Sequence, residues 1–92
     1  MRNTILTTVG LVLAASFICT AAQAASPAFC TSYATKALIA EQENLDEGCG
    51  FSGVRWSFDF AGHYGWCLTV SKAVANGEKM ARKYNLLACE GY

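Results

Sequence analysis

The segment 55–67 holds the side chains of this sequence that are best suited to chemistry. It contains both tryptophans and the only histidine of the chain. On a helix, Asp59, His63 and Trp66 would occupy positions i, i+4 and i+7, so that a carboxylate could hydrogen-bond an imidazole beside an aromatic ring, with Trp56 about one turn earlier. Aromatic faces next to hydrogen-bonding groups suit a pyranose ring, a peptide or a small anion. We therefore predict a ligand-binding surface composed of Trp56, Asp59, His63 and Trp66.

No catalytic constellation accompanies this surface in the sequence. Ser52 and Ser57 lie nearby, but neither is part of a nucleophile elbow. A structural role is the competing interpretation, because two tryptophans would form much of the core of so small a domain. We predict a binding module rather than an enzyme, with no cofactor and no metal. An inhibitor or interaction protein that blocks a partner enzyme is the alternative, and a hydrolase is the third.

A second motif, Gly-Cys-Gly-Phe-Ser-Gly at residues 48–53, matches the spacing G-x-G-x-x-G. In dinucleotide-binding proteins this fingerprint follows a strand and belongs to a βαβ unit, whereas here a charged, helix-like segment precedes it. The glycines instead predict a flexible loop that lets Cys49 reach its disulfide partner.

The start of the chain resembles a secretory signal, with Arg2, an apolar stretch over residues 5–19 and an A-x-A cleavage pattern at residues 22–24. Removal of residues 1–24 leaves 68 of the 92 residues, and we predict that residues 25–92 form one exported domain, periplasmic or extracellular. The apolar stretch is too short for a membrane span, and no later segment offers one. After cleavage six basic groups face seven acidic ones, which argues against nucleic acid as a partner.

The four cysteines that remain after cleavage, Cys30, Cys49, Cys67 and Cys89, predict two disulfides. Their separations of 19, 18 and 22 residues contain none of the C-x2-C pairs of zinc sites. In a domain of this size such crosslinks, each worth about 2–4 kcal/mol, decide whether the chain folds.

The remaining pattern is helical, which predicts an all-α domain. Ser26 and Pro27 form a helix start, and Gly48 can end that helix. Its apolar stripe is expected to comprise Cys30, Tyr33, Ala34, Ala37, Leu38 and Leu45. Acidic residues crowd its end, which suggests a basic partner such as Arg55.

From Ser57 onward, apolar or small residues recur at three- and four-residue steps as far as residue 88, and this pattern favours one long second helix and a hairpin fold. The expected inward series is Phe60, His63, Cys67, Val70, Val74, Gly77, Ala81, Tyr84 and Ala88. A break near Asn76, giving three helices, is the alternative.

The two architectures predict different disulfides. In the hairpin, the cysteine pairs on the two helices span about 28 and 33 Å, which favours pairing Cys30 with Cys89 and Cys49 with Cys67. In the three-helix form, Cys30 pairs with Cys67 and Cys49 with Cys89.

The cysteine, glycine and aromatic pattern as a whole resembles that of small exported four-cysteine proteins of proteobacteria, which have no assigned activity. The residues that carry the resemblance are Cys30, Tyr33, Ala34, Gly48, Cys49, Gly50, Phe51, Gly53, Arg55, Trp56, Ser57, His63, Tyr64, Trp66 and Cys67. The resemblance implies no site residue. The expected partner is an envelope or extracellular ligand, either a glycan or a protein.

Overall fold

The computed structural model describes residues 23–91, which contain three α-helices and no strand. These helices are α1 (Pro27–Asp46), α2 (Phe60–Cys67) and α3 (Lys72–Cys89). The predicted all-α class is confirmed, in its three-helix form. Most of the predicted signal peptide, residues 1–22, lies outside the described residues. Within residues 23–91, no helix is both long and apolar enough to cross a membrane.

Helix α1 begins and ends where the sequence predicts. The Ser26 hydroxyl accepts a hydrogen bond from the Phe29 N–H at 3.1 Å, and Pro27 occupies the first turn. Beyond the last turn, Gly48 adopts a left-handed conformation with φ of 64°. The buried face comprises Cys30, Tyr33, Ala34, Ala37, Glu41 and Asn44. Leu45 was expected on this face but is exposed. At this end of α1 the buried positions are occupied by the polar residues Glu41 and Asn44.

The prediction of one long second helix is wrong, because residues 68–71 form a turn that separates α2 from α3. The Thr69 hydroxyl donates to the Trp66 carbonyl at 2.6 Å as α2 ends, and the Ser71 hydroxyl accepts from the Val74 N–H as α3 begins. The alternative break at Asn76 is also misplaced, since Asn76 and Gly77 lie inside α3.

Asn44 fixes the loop that connects α1 to α2. Its side-chain amide donates to the Phe51 carbonyl at 2.8 Å and to the Glu41 carboxylate at 2.9 Å, and its side-chain oxygen accepts from the Phe51 N–H at 3.0 Å. Because Asn44 is almost completely buried, these bonds satisfy a polar group that water cannot reach. The loop is therefore held against α1 without a strand.

Helix α1 packs against both shorter helices, and the disulfides reinforce these contacts. Cys30 is bonded to Cys67, with 5.6 Å between their Cα atoms, and Cys49 to Cys89, with 5.7 Å. The pairing favoured for the hairpin, Cys30 with Cys89 and Cys49 with Cys67, is wrong, because the turn at residues 68–71 reverses the chain before α3. The observed pairing is that of the three-helix alternative.

The buried Cys30–Cys67 bond lies in the core together with Ala25, Tyr33 and Ala75. Ahead of α1, the Ala25 N–H donates to the Val70 carbonyl at 2.9 Å. This bond ties the start of the described chain to the α2–α3 connection.

Candidate functional site

A groove of about 910 Å³ lies where the three helices and the loop before α2 meet. Tyr33 comes from α1, Arg55 from the loop, His63 and Trp66 from α2, and Glu78 and Arg82 from α3. Side chains that are distant in sequence therefore converge on one concave surface.

Three of the four residues predicted to bind a ligand, Asp59, His63 and Trp66, border this groove. Trp56 does not. It lies in the loop rather than on α2, its side chain is only 7% exposed, and its ring stacks on Phe51 with 4.7 Å between ring centroids. Trp56 thus anchors the loop as a core residue.

The expected hydrogen bond between Asp59 and His63 is not formed. Asp59 is the N-cap of α2, where its Oδ1 accepts from the Gly62 N–H at 3.0 Å. The prediction placed Asp59 and His63 on one helix. Asp59 instead lies just before the first residue of α2, so the i, i+4 spacing within a helix does not apply to this pair. The carboxylate stabilises the helix end instead.

His63 is 5% exposed and is held from two sides. Its Nε2 lies 2.9 Å from the Ser57 carbonyl oxygen, and its Nδ1 lies 3.4 Å from the Arg82 Nη2. A carbonyl can only accept and a guanidinium can only donate, so the contacts fit the neutral imidazole with its proton on Nε2. The Ser57 hydroxyl is 3.3 Å from the same nitrogen, which in this tautomer has no lone pair to take the hydroxyl proton.

An aromatic wall forms one side of the groove. The rings of Tyr33 and Trp66 lie 5.7 Å apart at an angle of 38°, and Trp66 is 39% exposed while Tyr33 is buried. Burial raises the pKa of the Tyr33 phenol, opposed by its hydrogen bond from Arg82, so the hydroxyl stays protonated at neutral pH. The wall thus offers a partly solvated indole face beside a neutral hydroxyl.

Arg82 lies behind this wall and is only 3% exposed. Its Nε donates to the Arg55 carbonyl and its Nη2 to the Tyr33 hydroxyl, both at 2.9 Å. Its Cζ also lies 5.1 Å from the centroid of the Tyr33 ring. Arg82 therefore holds the loop, α1 and α3 together through a single planar group.

The other arginine of the groove, Arg55, forms an ion pair with Glu78. Its Nε bonds Glu78 Oε2, and its Nη2 bonds Glu78 Oε1 at 3.0 Å, which is the two-point geometry of strong arginine–carboxylate pairs. This pairing raises the pKa of the Arg55 guanidinium. The interpretation that Arg55 neutralises the acidic end of α1 is wrong, since its carboxylate partner lies on α3.

Three residues of the groove, Tyr33, Glu78 and Arg82, are not among the site residues predicted from the sequence. Tyr33 was assigned to the apolar stripe of α1, which is where its ring lies. Arg82 shares a face of α3 with buried Ala75 and Leu86, seven residues before it and four after it. An arginine at a position of α3 that is otherwise apolar was the available signal, and it can be recognised only if Ser71 is taken as the N-cap of α3.

No protein-family model, curated protein or solved structure matches this chain.

Proposed function

We propose that the protein is an exported binding module whose groove takes a ring-shaped ligand, a sugar or an aromatic group, against Trp66 and Tyr33. The observation that carries the proposal is the half-open Trp66 face beside buried, hydrogen-bonding groups. Ligand sites commonly combine an apolar wall with a few fixed polar groups in a volume of about 300–1,000 Å³, and this groove falls in that range.

The disulfides support the exported setting of this proposal. Two bonds that each close a long loop are typical of proteins in oxidising compartments. An envelope or extracellular glycan or protein is therefore the expected source of the ring.

A second candidate function, blocking a partner enzyme, is favoured by the loop beside the groove. Val54, on a tight turn closed by the Trp56 N–H and the Gly53 carbonyl, is 91% exposed. Phe58 on the same loop is half-exposed. Exposed apolar side chains at the edge of a concave surface suit contact with another protein.

The test compares Trp66→Ala with Phe58→Ala, because both aromatic rings are substantially exposed and only Trp66 borders the groove. The exported protein is immobilised and offered glycan and protein fractions of the envelope separately. We expect Trp66→Ala to weaken binding about tenfold or more, as the loss of an aromatic anchor does. Phe58→Ala should bind normally.

Each outcome of this test has a defined meaning. Retention of glycans with loss in Trp66→Ala supports the ring-binding module. Retention of a protein that depends on Phe58 and Val54 but not on Trp66 supports the blocking function instead. Unchanged binding in Trp66→Ala would contradict the proposed use of the groove.

A further inference from the structure

The Arg82 guanidinium is buried, and no carboxylate of residues 23–91 lies within 4 Å of it. Within residues 23–91, the one ion pair within 4 Å joins Arg55 to Glu78. The three contacts of Arg82 go to a backbone carbonyl, a tyrosine hydroxyl and a histidine nitrogen. These groups orient the guanidinium but carry no negative charge, and a buried charge without a counter-charge is costly.

Arg82 also keeps an unused donor. Its Nη1 makes no hydrogen bond to any residue of the described chain, and it is not among the fully buried atoms that lack a partner. At least a small part of that nitrogen is therefore exposed, and Arg82 lines the larger groove. Its neighbour Tyr33 accepts from Arg82 and has its own hydroxyl proton, which no acceptor in residues 23–91 takes.

We propose that the groove selects ring-shaped ligands that carry a carboxylate, with the ring on Trp66 and the carboxylate bound by Arg82 and the Tyr33 hydroxyl. Arginine is the side chain best suited to carboxylates, because its planar donors match the two oxygens. The neighbouring Arg55 is already engaged by Glu78, whereas no carboxylate of residues 23–91 contacts Arg82 within 4 Å. This inference rests on the proposed ring-binding function and names its ligand class.

A smaller groove on the other side of Arg82 offers a competing anion site. It measures about 290 Å³, and Lys36, Lys79 and Lys83 contribute to its lining. These lysines are flexible point charges, whereas Arg82 is fixed by three contacts beside an aromatic wall. An anion attracted only by positive charge would prefer the lysines.

The experiment titrates the exported protein, with both disulfides intact, with two matched pairs of probes. Benzoate is compared with benzamide, and glucuronate with glucose, so that each pair changes charge on one kind of ring. Backbone amide shifts and the Trp66 indole N–H signal report the position and affinity of binding. We expect at least one charged probe to bind the larger groove about tenfold or more tightly than its neutral partner. The preferred pair tells whether the ring is a sugar or an aromatic group.

Two variants locate the carboxylate. Arg82→Lys keeps the charge but loses the planar donors, and should weaken the charged probe about tenfold more than the neutral one. Lys83→Gln removes one charge from the adjacent, exposed position and should have no effect. The comparison of charged and neutral probes uses the unmodified protein, so it decides the question even if Arg82→Lys does not fold.

Failure of this inference is distinct from failure of the ring-binding function. Equal affinity for both members of each pair would overturn carboxylate selection and leave ring binding standing. Shifts confined to the smaller groove, or binding lost in Lys83→Gln, would overturn the role of Arg82. If no probe shifts the larger groove, the inference is overturned, and the Trp66→Ala comparison decides the ring-binding function separately.

Discussion

Glu90, just beyond α3, shows how one carboxyl group responds to the acidic end of α1. Interaction with the Glu43 side chain raises the pKa of Glu90 to about 7, helped by desolvation and by the charges of Glu43 and Glu47. One of its oxygens, Oε2, is buried without a partner in the described residues. The acidic residues at the end of α1 thus lie close to a further carboxyl group, Glu90, which stays protonated to a higher pH than usual.

This environment makes stability depend on pH. The folded protein holds the Glu90 proton up to about pH 7, whereas the unfolded chain releases it near pH 4.5. Folding therefore gains from this proton below pH 4.5, and the gain is lost as the pH rises to about 7. We expect Glu90→Gln to remove this decline, as measured by chemical denaturation at several pH values. Asp46→Asn, which removes a negative charge from the end of α1, should keep the decline, and an equal pH dependence in wild type and Glu90→Gln would contradict the assignment.

At the scale of elements, α2 offers a matched pair of glycines. A Cβ on Gly62 would lie 2.5 Å from Asp59 Oδ2, the carboxylate that caps the helix, whereas a Cβ on Gly65 would meet nothing within 4 Å. We expect Gly65→Ala to raise the free energy of unfolding by about 0.5–1 kcal/mol, through the lower entropy of the unfolded chain and better helix propensity. Gly62→Ala should lower it by about 1 kcal/mol, the usual value of an N-cap.

Thermal or chemical denaturation of the two variants measures this difference. If both substitutions stabilise the protein equally, Asp59 does not cap α2 as described.

Local signals predicted α1 well and the later helices poorly. Ser26, Pro27 and Gly48 each act on their own neighbours, so the bounds of α1 can be inferred from sequence. Across residues 68–71 the three- and four-residue spacing continues, and only the capping residue Ser71 marks the break. If the break is not recognised, the wrong face of α3 is expected to be buried. Val74 and Tyr84 were expected to be buried but are exposed, whereas Ala75 and Arg82 are buried.

The candidate site was predictable only in its local part. Asp59, His63 and Trp66 belong to one short segment, and their joint position at the groove follows from α2. The contact between Arg82 and Tyr33 joins residues 49 apart, whose proximity depends on how the helices pack. Trp56 was expected one helical turn before Asp59, but it lies in the loop before α2, where helical spacing does not apply.

At the scale of the whole molecule, the two disulfides differ in access. Cys30 and Cys67 are completely buried, whereas Cys89 is exposed and Cys49 is half-buried. Each bond closes a loop of comparable length, with sequence separations of 37 and 40. In the chain-entropy model each therefore stabilises the fold by a similar amount, about 4 kcal/mol.

Reduction should therefore be stepwise. We expect a mild thiol reductant to open Cys49–Cys89 first, because attack requires access to a sulfur atom. Alkylation at increasing reductant followed by peptide mass mapping should label Cys49 and Cys89 before Cys30 and Cys67. Labelling of the Cys30–Cys67 pair first, or crosslinked peptides of any other pairing, would contradict the described arrangement.

The hydrogen bond from Ala25 to Val70 bears on maturation. Cleavage after Ala24, where the sequence predicts it, would turn the Ala25 amide into an α-ammonium group facing the same carbonyl. A charged donor forms a stronger hydrogen bond than a peptide N–H. Cleavage at that position would then strengthen the existing contact at the joint of α2 and α3, so that the new N-terminus would itself contribute to the stability of the fold.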